Sequence, residues 1–380
     1  MGDFLGDRFQ SKLLTIIVGI VAILAFIPYL TLQIKGMAYI FNVLTYDNIP
    51  YWFGAFISFG IVVIYVATSG VRGAAWSDVF QAILMLVIAW ILGMYFVQKL
   101  HGGIGNMFET INSSNNDFLL IGEEGSTMSK ARYSSNIIIS MIGFVMWPHL
   151  FTKSYTTTEK RIKTTVAVYP IFALFLLPVL FIGFSGYGIV SSDQIENSGQ
   201  ILPYLITNYL TESGLLYGIV GAGALAAAMS SSDAITHGAS VSFGRDICKA
   251  IYSKIPENIE LWIMRGAVFG VGGIAYLIAI FGSEGLIQLL LGAYGPIAQL
   301  APAVYASLFF RKVSAISIII GLILGVCITI YYQYFAESTL YDLHAGLIGL
   351  SFNVAAVFIF SYIYRQSDSE IVKAKEFNEI

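Results

Sequence analysis

The sequence predicts an all-α integral membrane protein of about ten transmembrane helices. Composition, the length of the apolar runs and the distribution of charge carry that expectation. Of 380 residues, 57% are hydrophobic and 11% charged, whereas a soluble domain carries about 25% charged residues. The apolar residues gather into runs of about 20, long enough for a helix to cross a hydrocarbon core roughly 30 Å thick. The expected spans cover 13–34, 50–69, 75–98, 134–152, 164–190, 213–241, 261–282, 285–310, 313–334 and 343–364.

Residues 21–24, 61–66 and 316–320 are rich in β-branched side chains, which in water would argue for strands. In lipid every backbone amide must be bonded internally, so a run of this length is a helix or part of a closed barrel. Barrel strands alternate polar and apolar residues. These runs do not alternate, so helices are expected throughout.

Charge tests the topology independently, because cytoplasmic loops collect Lys and Arg. With the first residues inside, the inner loops hold Arg8, Lys12, Arg72, Lys153, Lys160, Arg161, Lys163, Arg245, Lys249, Lys254, Arg311, Lys312, Arg365, Lys373 and Lys375, while Lys35, Lys99, Lys130 and Arg132 fall outside. The acids Glu109, Asp117, Glu123, Glu124, Asp193, Glu196, Glu212, Glu284, Glu337 and Asp342 also fall outside. Ten crossings with both termini of this chain cytoplasmic fit the pattern, in a multi-pass protein of the cell membrane. Shifting the count by one helix breaks it.

A net charge of −3 offers no basic patch for nucleic acid. Cys248 and Cys327 make no disulfide framework, and no small-residue cleavage site follows the first apolar run. One transmembrane domain, residues 1–365, and a solvated cytoplasmic tail, residues 366–380, are expected. Residues 99–132, with Gly102, Gly103, Asn112, Ser113, Ser114, Asn115 and Asn116, read as an outer loop. His101, His149, His237 and His344 are scattered without metal-ligand spacing, with His149 expected at the interface. No phosphate loop and no nucleophile with a base at motif spacing is found, so an enzyme is not expected.

Two spans are interrupted. Met146-Trp147-Pro148-His149 breaks the fourth and Gly292-Ala293-Tyr294-Gly295-Pro296 the eighth. Such breaks are tolerated at membrane depth where protein or water satisfies the freed backbone, and transporters build substrate and ion sites from discontinuous helices. A packing kink is the alternative at each proline.

The sharpest local feature is Gly221-Ala222-Gly223-Ala224-Leu225-Ala226-Ala227-Ala228-Met229-Ser230-Ser231-Ser232-Asp233. Small residues permit close helix contact, and then hydroxyls and a carboxylate arrive together. Ser230 and Ser231 offer hydroxyl oxygens and Ala227 a carbonyl, which suit a hard cation such as sodium. The alternative is a packing seam whose serines bond back to the preceding turn. Asp233 weighs against it, because a buried acid in a membrane is costly and by default functional. Asp78, one turn before Gln81, is either a first-turn acid facing the helix dipole or the charge for a second cation.

Gly2-Asp3-Phe4-Leu5-Gly6-Asp7-Arg8-Phe9, Gly73-Ala74-Ala75-Trp76-Ser77-Asp78-Val79-Phe80-Gln81, Trp147-Pro148-His149, and Ala226-Ala227-Ala228-Met229-Ser230-Ser231 followed by Arg245-Asp246-Ile247 resemble the sodium:solute symporter family in order and spacing. The resemblance covers nearly the whole chain. It implies a leucine-transporter-like inverted-repeat bundle working by alternating access, with Na+ and a small organic solute as partners in a lipid bilayer. Ala227, Ser230 and Ser231 match the positions that bind the common sodium ion. Asp78, with Ser230 and Asp233, matches an additional sodium site of some members. Ser140, Phe144, Trp147 and Pro148 match the substrate path. Proline-transporting members carry a tryptophan and a tyrosine where this chain has Ser140 and Phe144, which argues against proline. The Trp147-Pro148-His149-Leu150-Phe151 stretch is closer to the monocarboxylate and pantothenate branches, so a monocarboxylate-like or pantothenate-like anion is the expected solute. Members have three helices before the Gly-Asp-Arg-Phe stretch, so the bundle is expected to lack its first helices here. A non-transporting fragment and a membrane-embedded sensor or enzyme domain are the alternatives.

Overall fold

A computed structural model describes residues 1–114, 116–122, 128–155, 157–191, 193–210 and 214–378. The side chains of 67–77, 116, 117, 172, 175, 216 and 378 stand outside that description. Arg72, Trp76, Ser77, Asn115, Asn116, Asp117, Glu123, Glu124 and Glu212, used in the sequence reading, therefore have no described side chain. The described residues form helices and connecting turns, with no strand among them.

The helices are α1 (Gly2–Phe9), α2 (Lys12–Leu44), α3 (Tyr51–His101), α4 (Ile104–Ser114), α5 (Lys130–Phe144), α6 (Pro148–Ser154), α7 (Glu159–Phe172), α8 (Leu176–Ser185), α9 (Ile201–Tyr209), α10 (Gly214–Val241), α11 (Glu257–Phe281), α12 (Leu286–Ala298), α13 (Ala301–Phe309), α14 (Ala315–Tyr334), α15 (Ala345–Ile363) and α16 (Asp368–Asn378). Eight segments are long and apolar enough to cross a membrane, the bent pair α5 and α6 makes a ninth, and Tyr51–Val66 is a shorter apolar helix. Among the described residues, eight or nine of the ten expected crossings are thus long and apolar enough to span.

Both ends of α3 lie at one end of the bundle. Near its start, a methyl on Gly54 would meet Phe41 and the Ala38 backbone of α2. Towards its end, Leu92 and Phe96 share a cluster with Leu44. Tyr51–Val66 and Asp78–His101 therefore run in opposite directions.

α2 is apolar on nearly every side, as suits a helix that spans a membrane and packs in a bundle. It packs against α3, α10, α11 and α12 and contributes Leu14, Val18, Ala22, Ala25, Phe26, Leu30 and Ile34 to the main core. α14 and α15 pack antiparallel along a small-residue seam. A methyl on Gly321 would sit 2.5 Å from the Val357 side chain and one on Gly325 2.8 Å from Asn353 Cβ. Gly321 and Gly325 stand four apart, the spacing that lets apolar helices close together in lipid.

The eighth expected span is interrupted later than Pro296. α12 runs through Pro296 to Ala298, and helix resumes at Ala301. Gln299 is fully buried at the break. Its Nε2 donates to the Gly295 carbonyl (3.2 Å), Thr329 Oγ1 (3.2 Å) and the Gly346 carbonyl (2.9 Å), while Asn353 Nδ2 donates to its carbonyl at 2.9 Å. Side chains from the neighbouring hairpin thus satisfy backbone that lipid cannot.

Four further expectations are corrected. α2 continues ten residues beyond 34, and Lys35 is buried within it rather than lying in a loop, donating to the Gly282 and Glu284 carbonyls at 2.7 and 2.8 Å. This places a cation on the C-terminal carbonyls of α11. The 99–132 stretch is not a simple loop, since it holds α4. The helix of α10 continues through a π-helical segment, Ser242–Lys249, which carries Arg245 and Lys249. Finally, the tail is docked rather than solvated. Glu370 Oε1 accepts from the Ala315 amide at 2.6 Å, Gln366 Nε2 donates to the Val313 carbonyl at 2.8 Å, and Ala374 is buried.

α1 sits beside that tail. Arg8 is fully buried and donates to the carbonyls of Ser307 (3.3 Å) and Phe310 (3.0 Å), covering the C-terminus of α13. The Phe4 ring lies 5.3 Å from Phe151 of α6 and 5.4 Å from Phe377 of α16.

Candidate functional site

The break in the fourth span follows from Pro148. Proline has no N–H to return to the preceding turn and drives the residue before it out of the helical region. Trp147 accordingly takes φ −65 and ψ 120, α5 ends at Phe144, and α6 starts at Pro148 with a 41° bend between the two.

The bend turns Trp147 into the bundle, where it is 1% exposed. Its ring lies 5.0 Å from Tyr29, 5.5 Å from Phe26, 5.7 Å from His149 and 5.8 Å, edge-on, from Tyr294. A methyl on Gly238 would meet Phe26 and His149, and one on Gly143 would meet Tyr294, so glycines let α10 and α5 close on this aromatic box. His149 Nδ1 is buried with no hydrogen-bond partner, and such an orphan calls for an explanation. His149 belongs to the bundle interior, not to the interface expected for it.

Of the expected substrate-path residues, Trp147 and Pro148 border this box. Ser140 is half-buried on α5, and Phe144 is 38% exposed with its ring 5.5 Å from Tyr169 of α7. Sequence reasoning missed Phe26, Tyr29 and Tyr294. The spacing of Phe26 and Tyr29 at i, i+3, the first aromatic residues of α2, was the available signal.

A second cluster lies toward the Lys153 end of α6. Ser230 Oγ donates to Asp78 Oδ1 at 3.0 Å, and Lys153 Nζ stands 3.6 Å from Asp78 Oδ2. Three elements meet there: α3 through Asp78, α10 through Ser230 and α6 through Lys153. Asp233, one turn after Ser230, is 5% exposed and its Oδ2 has no partner. Gln81 Oε1, one turn after Asp78, is likewise buried and unpaired. Ser232 and Thr236 bond back to the carbonyls of Ala228 and Ser232, each at 2.7 Å. The back-bonding alternative therefore holds for Ser232 and not for Ser230. Ala227 and Ser231 are half-buried on α10, and no described residue bonds the Ser231 hydroxyl. Asp78, Ser230, Asp233 and Gln81 offer oxygen atoms, the donors a hard monovalent cation takes, with the Lys153 ammonium beside Asp78.

The Sodium:solute symporter family profile matches residues 1–325. The chain belongs to that family. Among its members, the uncharacterized symporter YhjB of Bacillus subtilis is 30% identical over 97% of this chain and 77% of its own length. The high-affinity proline transporter PutP of the same organism is 26% identical over 99% of this chain and 78% of its own. A solved structure of a Na+-coupled sialic acid symporter, substrate-bound and outward-open, aligns with TM-score 0.70 at 19% identity, over 96% of this chain and 77% of that one. The leucine-transporter-like bundle expected from the motifs is thus the fold of this symporter-family chain. It is a multi-pass membrane transporter rather than an enzyme.

Proposed function

We propose that the chain couples inward sodium flow to the uptake of a small carboxylate, monocarboxylate-like or pantothenate-like. The observation that carries this reading is the meeting of Asp78, Ser230 and Lys153 from three helices beside the broken span, with the unpaired Asp233 carboxylate one turn away. Ala227, Ser230 and Ser231 hold the common sodium ion. Asp78, Ser230 and Asp233 hold a second cation. The solute passes the break along Ser140, Phe144, Trp147 and Pro148, with Phe26, Tyr29 and Tyr294 as the facing aromatic wall. Both termini of this chain face the cytoplasm, as the basic residues of α1, the π-helical segment and α16 favour.

Coupling requires sodium to bind one conformation more tightly than another. α6 is the element that links the two sites, since it begins at the aromatic box and ends at Lys153. Three features favour a carboxylate: the Trp147-Pro148-His149 stretch, the departure from proline carriers at Ser140 and Phe144, and sialic acid, itself a carboxylate, as the solute of the aligned symporter. Sodium-gradient uptake into proteoliposomes, with a panel of monocarboxylates, pantothenate and proline, tests the reading. Sodium-dependent uptake of a carboxylate is expected. Uptake that ignores sodium, or that favours proline, overturns it.

A further inference from the structure

The geometry points to a built-in competitor for the coupling ion: we propose that the Lys153 ammonium occupies the second cation position at Asp78, and that sodium binds there only when Lys153 withdraws. The proposal rests on Asp78 being a cation site, as put forward above.

Lys153 carries a compact charge on a flexible four-carbon stem, and it stands in the last turn of α6. Its Nζ lies 3.6 Å from Asp78 Oδ2, while Ser230 holds Oδ1 at 3.0 Å. The carboxylate is thus already offered one hydroxyl and one positive charge, which is what a bound sodium ion would take from it. The ammonium is displaceable. Its side chain is 59% exposed and that of Asp78 25% exposed, and a solvent-accessible pair is held weakly. Sodium and the ammonium carry the same charge, so both cannot neutralise one carboxylate at once. Because Lys153 is fixed to the half-helix that starts at Pro148, any movement of that half-helix relative to α3 withdraws or delivers the competitor. The second ion position is thereby tied to the bend beside the aromatic box.

The test is equilibrium binding of radioactive sodium to the purified protein in lipid nanodiscs. Wild type, Lys153→Gln, Lys153→Arg and the double variant Asp78→Asn/Lys153→Gln are compared. Lys153→Gln is expected to fill the Asp78 site at a lower sodium concentration than wild type, Lys153→Arg at the wild-type concentration or above, and the double variant to lose that ion. Superimposable sodium titrations of wild type and Lys153→Gln overturn the proposal, as does an ion with the Lys153→Gln affinity that survives Asp78→Asn. A wild type that binds no sodium beside a Lys153→Gln protein that binds one supports the tether and overturns sodium coupling instead. A second measurement needs no variant. Acetylation of Lys153 in the wild-type protein, followed by mass spectrometry, is expected to rise in sodium chloride relative to choline chloride at equal ionic strength. An unchanged rate overturns the proposal.

Discussion

Asp233 is a carboxylate in a stretch built mostly of alanine, glycine and serine, 5% exposed and with one oxygen unpaired. Leaving such a group uncompensated in the membrane costs several kcal/mol, so its retention is explained by what approaches it. Ser231→Ala is expected to raise the sodium concentration needed for half-maximal uptake while leaving expression unchanged, and a sodium titration superimposable on wild type would remove Ser231 from the ion site. At the aromatic box, Trp147→Ala is expected to weaken solute affinity more than maximal rate; concentration-dependent uptake separates the two. On the opposite end, Arg132 pairs with Asp342 at 2.7 Å and Ser129 donates to the same carboxylate. The Ser129 hydroxyl first, and then Arg132, hold the Asp342 carboxyl below its ordinary value. A depressed carboxyl contributes its stability in full above the unfolded value of about 3.9 and loses it as pH falls through the lower folded value. Asp342→Asn should therefore lower the melting temperature equally at about pH 7 and about pH 5, with the difference vanishing only in stronger acid. Both side chains are well exposed, so the cost should stay within about 1 kcal/mol. Asp78, Ser230 and Asp233 were legible because an acid or a hydroxyl run in apolar sequence is anomalous by composition alone. Lys153 was not, since a lysine flanking a span reads as topology charge until a carboxylate is seen beside it. Lys35 misled for the same reason.

At the scale of elements, the two interrupted spans differ in cause. Pro148 breaks its helix directly, and the position of that break was readable. Pro296 does not, because α12 continues past it, and the interruption falls where Gln299 and Asn353 supply alternative partners. No local pattern marks Gln299 as a buried linker between helices thirty and more residues away in sequence. Gln299→Leu is expected to destabilise the protein by about 1–3 kcal/mol, because it removes the buried amide that donates to the Gly295 and Gly346 carbonyls and to Thr329 Oγ1. Thermal unfolding in detergent measures this, and an unshifted midpoint would show that water replaces the amide. Gly346→Ala belongs with it. A methyl there would sit 2.6 Å from the Gly295 Cα, a backbone atom that cannot swing aside. The expected cost is about 1–3 kcal/mol.

For the whole molecule, lipid imposes the architecture so strongly that an all-helical multi-pass bundle could be read from apolar length alone, and eight or nine of the ten expected crossings stand among the described residues. Which helices touch was not legible, because in hydrocarbon an apolar side chain gives no hint of whether it faces lipid or protein. Orientation is open to a direct measurement. In a background with Cys248 and Cys327 replaced by serine, a membrane-impermeant maleimide added to intact cells should label Glu337→Cys and spare Lys254→Cys. The reverse pattern would invert the topology. The chain spans 77% of the length of YhjB and of the aligned sialic acid symporter, and within that span both candidate sites draw on helices distant in sequence.

Phe4 is wedged between Phe151 of α6 and Phe377 of the final helix, and Lys373 stands 3.4 Å from Asp7 on the same helix as Phe4. One aromatic ring thus joins the bend in the fourth span to the surface of the molecule. A fluorophore placed on α16 would not be a bystander label. Its brightness would follow the angle at Pro148, and the transport cycle would be readable from outside the bundle without touching the solute or the ion.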